Sequence, residues 1–358
     1  MTILVLGLVF SAAAQAESTT MLAASPSTAL WQAPKAKGDP LAMLELGLEV
    51  SLTGQKKSGM VHVKTSEPFQ VEGWVKSNEI GCRVTVDTQI KEGADPEENP
   101  PGSPFLRKGA LVRILKTKGA WLEVESAPYV MKIFSVSGEG EGEMAFENVA
   151  TGYITRGWIP KNNCSAAEKP YFDAAPEEGI LSAFVDESVL YREKPQEDPP
   201  TKKDEKLQIA GKALKYCRWV ELEQQAGWSR GYTDGPVVVK GWTRKDRLGP
   251  LPNTNPLNMI FLKSFKDCEL ITDAEIKTLD GKNVIAKLPG GTEVFKVGVD
   301  YEGCIVKTDW PIVIKGLVTC KLLRSLGVLP EKAIGDTKKK PQNTFPERGP
   351  KDRPKKKK

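Results

Sequence analysis

Gly73-Trp74-Val75, Gly157-Trp158-Ile159, Gly241-Trp242-Thr243 and Gly316-Leu317-Val318 begin 84, 84 and 75 residues apart. Self-similar content at a near-fixed spacing is the signature of a repeat architecture. Upstream of each lies a Leu-x-x-Gly-x-x-Val-like run: Leu44, Gly47, Val50; Leu106, Gly109, Val112; and Leu288, Gly291, Val294. The third copy reads Gln208, Gly211, Leu214 and departs from the pattern. A second glycine followed by alternating residues comes between the two motifs, over 59–63, 119–124, 227–232 and 303–306. A short strand precedes everything, over 29–31, 88–90, 188–190 and 274–276. Period-two alternation broken by glycine predicts half-buried antiparallel strands and tight turns. Four or five short strands cannot shield a core as an open sheet, so each copy is expected to close into a small barrel.

These motifs resemble the bacterial SH3-like (SH3b) domain family over roughly 25 to 328. The resemblance implies an all-β fold of tandem small SH3-like barrels with long loops. It implies a binding or targeting role, often in the cell envelope, where such modules bind peptidoglycan or its peptides. It carries over no residue-level ligand motif. The departures at Gln208 and at Leu317 point to copies three and four as structural. The expected organisation is a signal peptide over 1–16, a linker over 17–26, repeats over 27–81, 82–168, 179–252 and 268–328, and a tail over 335–358.

The N-terminus carries an apolar stretch over 3–13 and a small-x-small site, Ala14-Gln15-Ala16, which together read as an export signal lacking its basic start. No Cys follows the run, which disfavours a lipoprotein. No run approaches the ~18 apolar residues of a membrane span. The expected location is periplasm, cell wall or medium. Six cysteines in an exported chain imply bridges. Cys82 and Cys268 each open a copy, while Cys164 and Cys320 follow its closing glycine. First and last strands lie side by side in barrels of this kind, so Cys82–Cys164 and Cys268–Cys320 are the expected pairs, with Cys217 and Cys304 left over as buried thiols or a third bridge. Free buried thiols throughout are the competing reading.

The loops vary more than the strands. Copy two lengthens its later hairpin and includes Gly138-Glu139-Gly140-Glu141-Gly142-Glu143, which reads as a solvated spacer rather than a calcium loop. Trp74, Trp121, Trp158, Trp228 and Trp242 occupy motif positions and are expected to fill the core. Trp31, Tyr129, Tyr153 and Tyr191 lie outside those positions and are the candidate ligand contacts. Catalysis finds no support: there is one histidine, His62, placed on a strand surface, and no phosphate-cradling glycine motif. No cofactor and no metal site is expected, since no Cys-x-x-Cys occurs.

The tail carries the strongest charge. Residues 335–358 hold ten basic residues, Lys338, Lys339, Lys340, Arg348, Lys351, Arg353, Lys355, Lys356, Lys357 and Lys358, against three acidic ones. The whole chain is only +5, so the remainder is slightly acidic. Four prolines break any helix, which predicts a disordered basic arm able to adhere to anionic polymers. Nucleic acid is not favoured, because the repeats add no matching basic patch. The sequence therefore predicts a non-enzymatic, exported envelope-binding or scaffolding protein. The alternatives are a structural protein attached through its tail and an accessory subunit of a separate envelope enzyme.

Overall fold

The computed structural model describes residues 19–26, 28–94, 103–137, 143–171, 179–195, 209–252, 266–309 and 311–326. The expected leader, the tail, the Glu-Gly stretch 138–142 and nearly all of the Pro-rich loop 195–206 lie outside them. The chain is all-β, built of antiparallel strands joined by turns and three-residue 3-10 segments.

Four groups of strands carry the same bonding pattern, and the closing glycines explain themselves through it. Each packs against a backbone carbonyl. A Cβ on Gly73, Gly157 or Gly241 would stand 2.6, 2.5 and 2.5 Å from the oxygens of Trp31, Lys91 and Tyr191, and one on Gly316 would collide with the oxygen of Lys277. The residue after each glycine pairs with that same neighbour, as Trp31↔Trp74, Lys91↔Trp158, Tyr191↔Trp242 and Lys277↔Leu317. Only glycine lets two backbones come this close.

This placement corrects the expected role of the tryptophans. Strand residues alternate between faces. Gly73 and Val75 face inward, so Trp74 between them faces outward, and Trp158 and Trp242 do likewise; all three are half-buried. Trp121 is half-buried as well, with Lys91 Nζ 5.0 Å from its ring centre. Of the five, only Trp228 is buried. The ring that fills the interior is Trp219, fully buried and edge-on to Phe184 at 5.8 Å between centroids.

The Leu-x-x-Gly-x-x-Val run marks a turn with a left-handed residue. Gly47, Gly109 and Gly291 have φ of 86°, 83° and 83°, and their N–H groups donate to the carbonyls of Ala23, Val84 and Leu270 at 2.7, 2.7 and 2.8 Å. In the third group the residue in this role is Tyr216, with φ of 63° and its N–H bonded to Phe184 O at 2.7 Å. The expected register of Gln208, Gly211 and Leu214 is thus shifted by five residues. The equivalent positions are Ala213, Tyr216 and Trp219, and Ala213 lies opposite Ser188 as Leu44 lies opposite Thr28. The shift hid itself because Tyr216 adopts a conformation that residues other than Gly and Asn rarely take.

A buried hydroxyl closes the next turn in all four groups. Thr65, Thr233 and Thr308 donate Oγ1–H to the carbonyls of Phe69, Val237 and Ile312 at 2.8, 2.8 and 2.7 Å and accept from the N–H groups of Val71, Val239 and Ile314. Ser126 makes the same pair of bonds to Tyr153 O and Thr155 N. In the second group, however, a hairpin is inserted between donor and acceptor, Tyr129–Ser137 paired with Glu143–Thr151. The extra length of copy two is this separate two-stranded element, not an extension of its neighbour.

The groups are interlocked. The strand Ile80–Val84 pairs with Thr20–Ala23 of the first group and with Leu111–Lys118 and Cys164–Ser165 of the second, so these two share a strand and have no linker. The first and fourth groups exchange strand pairs, Ala42–Leu44 against residues 312–314 and Gln70–Val71 against residues 286–287. The second and third do the same, Phe105–Leu106 against Val237–Val238 and Tyr153–Ile154 against residues 212–213. The buried apolar residues follow that division. One cluster joins residues 23–80 to 268–318, and the other joins residues 82–159 to 184–239.

The expected Cys82–Cys164 bridge is present, with Cα atoms 5.6 Å apart across adjacent strands. The expected Cys268–Cys320 bridge is not. Cys320 bonds to Cys304 instead, at a Cα separation of 5.0 Å, and Cys268 is a buried thiol. Spacing is the reason. Cys164 comes seven residues after its closing glycine, just past the 3-10 turn, on the strand beside Cys82. Cys320 comes four residues after Gly316, at the start of the turn, while Cys268 lies opposite Ser325.

Candidate functional site

The four candidate aromatics occupy different environments. Tyr191 is buried, edge-on to Trp228 at 5.7 Å. Tyr153 is 2% exposed, its ring and hydroxyl lying over Gly211 of the third group, and burial pushes its phenol far above the usual range. Tyr153 belongs to the seam between the second and third groups and Tyr191 to the interior of the third, so neither is the exposed contact expected. Trp31 is half-buried on the first group, held by two backbone bonds to Trp74 at 2.8 and 2.7 Å. Tyr129 alone of the four lines a groove of about 290 Å³.

That groove lies where three groups meet. Leu46 and Gly47 come from the first, Pro236 from the third, and the rest from the second and the segment that follows it. Its apolar wall is Leu111, Ala127, Pro128, Tyr129, Pro170 and Tyr171. Tyr129 is placed there because the inserted hairpin starts at this residue, directly after the Ser126 turn. Tyr171 is placed by its N–H, which donates to Gly109 O at 3.1 Å.

Arg83 lines the groove, and Arg107 meets it only through Tyr171. Arg83 is half-buried and donates to Glu168 O at 3.2 Å and Gly47 O at 3.4 Å. Burial lowers its pKa from the ordinary guanidinium value, with Glu49 and Glu168 opposing the shift. Arg107 donates to the Tyr171 hydroxyl at 2.5 Å and also stands over that ring at 5.6 Å. Behind it Asp234, buried in the third group, lies 3.8 Å from Arg107 and 2.6 Å from Arg218. This buried carboxylate between two cations fixes Arg107, and with it Tyr171, against the third group. Tyr171 was not singled out from sequence. Its neighbour Pro170 and its place just beyond the second group were the only available signals.

The arrangement offers planar apolar surface beside one cationic donor, Arg83, which suits an extended ligand with apolar or amide segments and a carboxylate. No group of three or more His, Cys, Asp or Glu side chains able to hold a metal occurs among the described residues. His62 contacts Thr53 Oγ1 at 3.1 Å through Nδ1 and lies edge-on to Trp74 at 5.1 Å. Cys217 is fully buried, and its thiol is pushed up to about 12 by burial and the nearby Asp234. Among the described residues no helix is long and apolar enough to cross a membrane. No family model, curated protein or solved structure matches the chain.

Proposed function

We propose that the chain is an exported, non-enzymatic scaffold of four tandem SH3-like modules that holds an envelope ligand in the groove bounded by Tyr129 and Tyr171. The modular reading is supported by a strand order shared by the four groups, each with a 3-10 turn before its last short strand. Export is supported by the two disulfides, which persist in oxidising compartments. The observation that carries the ligand reading is the groove itself, with its Tyr and Pro walls and with Arg83 among its lining residues. A peptidoglycan stem peptide has the matching chemistry, an extended backbone with small apolar side chains and free carboxylates.

The structural alternative draws on the strand exchange, which covers sheet edges that would otherwise invite association. Co-sedimentation with purified sacculi separates the two. The scaffold reading predicts that the full chain pellets with sacculi and that Tyr129→Ala with Tyr171→Ala abolishes this without unfolding the protein. A full chain that stays in the supernatant refutes it.

A further inference from the structure

In three of its four occurrences the strand exchange between groups is closed by one further hydrogen bond. Leu44 lies opposite Ile312, Leu106 opposite Val237, and Ala213 opposite Tyr153. The next N–H along, from Glu45, Arg107 and Leu214, donates to the carbonyls of Pro311, Pro236 and Gly152 at 2.8, 2.9 and 2.9 Å. In the fourth occurrence Lys287 pairs with Gln70, and the same register would set Leu288 opposite Phe69 and Pro289 opposite Pro68. Pro289 has no N–H, so the closing bond to the Pro68 carbonyl cannot form. The ladder stops at Lys287, one pair short of the other three.

A cleft of about 500 Å³ opens at this point, between the 66–70 turn of the first group and residues 273–275 and 287–289 of the fourth. Phe69, Ala274 and Leu288 line it and are buried, so they form its floor. Pro68 and Pro289 stand exposed at its edge. Its charged groups are two carboxylates, Asp273 and Glu275, against one ammonium, Lys287. Asp273 Oδ1 already accepts from the Gly290 N–H at 2.9 Å. Glu275 Oε1 lies 3.7 Å from Lys287 Nζ, an exposed pair of little strength. The cleft therefore joins an apolar floor to a carboxylate and to a backbone carbonyl that lacks its seam donor.

We propose that this cleft is a docking site for a lysine-type side chain presented by a peptide partner. The methylene stem lies over Phe69 and Leu288, and the ammonium donates to the Pro68 carbonyl and to the Glu275 carboxylate. Charge complementarity favours a cation, because the carboxylates outnumber the ammonium at the rim. An ammonium with three N–H donors supplies at once the bond that Pro289 cannot make and a better partner for Glu275 than the exposed Lys287. The site follows from one residue choice and not from the fold, since the other three seams close the same gap with an N–H. The cleft shares no lining residue with the Tyr129 groove, and the proposal does not rest on that groove.

The test is titration of the full chain with the peptide acetyl-Ala-Lys-Ala-amide, followed by NMR amide shifts. The N–H groups of Phe69, Gln70 and Leu288 are expected to shift, and the same peptide with its lysine acetylated is expected to leave them unmoved. Pro289→Ala supplies the missing N–H, so it should close the seam and weaken peptide binding about tenfold. Hydrogen exchange at the new N–H of position 289 reports that closure independently of binding. Glu275→Gln should weaken binding about threefold or more at low salt, with the loss shrinking as salt rises. Both substitutions fall on exposed residues, so circular dichroism should show the fold kept. Equal shifts with lysine and acetyllysine would overturn recognition of the ammonium. Equal binding of Ala-Ala-Ala-amide, whose one cation is its amino terminus, would overturn the side chain as the docked group. No shift at the three N–H groups, or unchanged affinity in both variants, would overturn the site. Sacculus pelleting should persist in both variants, so failure of the groove reading and failure of this one are separable.

Discussion

Replacing Gly157 by alanine tests the pattern on which the sequence reading rests. The added methyl would stand 2.5 Å from Lys91 O and would overlap the Ile90 side chain, whereas real Cβ contacts essentially never fall below 3.0 Å. The strand must therefore move away from residues 90–91 by about half an ångström or more, a gap large enough to weaken the contacts there. Two hydrogen bonds lie in the path of that movement, Lys91 N–H to Trp158 O at 3.0 Å and Trp158 N–H to Lys91 O at 2.8 Å. Each contributes about 0.5–1.5 kcal/mol net, and overpacking costs about 1–3 kcal/mol more. Against this, alanine restricts the unfolded chain and returns about 0.4–1 kcal/mol. The expected net loss is about 2–4 kcal/mol, read from the urea midpoint and slope by tryptophan fluorescence. Gly93→Ala is the control, because a methyl there meets open space at an ordinary φ. It should change stability by less than about 0.5 kcal/mol. A Gly157→Ala protein as stable as that control would refute the close-approach reasoning for all four glycines.

Three further outcomes are expected. Trp219→Ala should destabilise by about 3–5 kcal/mol, as loss of a fully buried ring does, and Trp158→Ala by clearly less, because its ring is half-buried; urea unfolding of the two variants would show equal losses if the inward and outward assignments were wrong. Non-reducing peptide mapping should give Cys82–Cys164 and Cys304–Cys320, with Cys217 alkylated only after denaturation because its thiol is buried and its pKa raised to about 12; a Cys268–Cys320 peptide would contradict the register of the fourth group. Burial pushes the Glu221 carboxyl upward, but bonds from Lys245, Ser229 and Gln224 outweigh this and hold it below the ordinary value. The stability it contributes is therefore complete above the unfolded pKa near ~4.3 and is lost as pH falls through the folded value, so Glu221→Gln should flatten the acid limb of a stability–pH profile.

The fold class was legible because its two strongest constraints leave residues that cannot be substituted freely. The closing glycines mark the point where two backbones touch, and Gly47, Gly109 and Gly291 mark a left-handed turn. Both constraints act locally, so both show as spacing in the sequence. The third group escaped correct alignment where Tyr216 accepts the left-handed conformation and a nearby glycine, Gly211, offered a false match. The hydroxyl turn was missed because Thr65, Ser126, Thr233 and Thr308 are common residue types whose role depends on a bond formed in space. The tryptophans misled for a related reason. Their motif position is fixed by the glycine before them, and the inward face belongs to that glycine and to the residue after the tryptophan. The groove was hardly legible at all. Its walls come from three separate stretches, and only their packing brings Tyr129, Tyr171 and Pro236 to one surface.

The strand exchange explains why four small units can share one chain of this length. A small all-β unit buries a limited core and leaves sheet edges open. Here the edge strand of one unit is covered by another. The first unit is completed by the fourth, and the second by the third, in a nested order. The cores merge accordingly, with Leu44, Val71, Ile276 and Ile312 in one cluster and Leu106, Tyr153, Trp219 and Val237 in the other. Nesting places the termini of the described chain in the same half of the molecule, because the first and fourth units pair. The groove lies where the first, second and third units converge. Its support therefore depends on the nested pairing of the second unit with the third as well as on the strand that the first two units share.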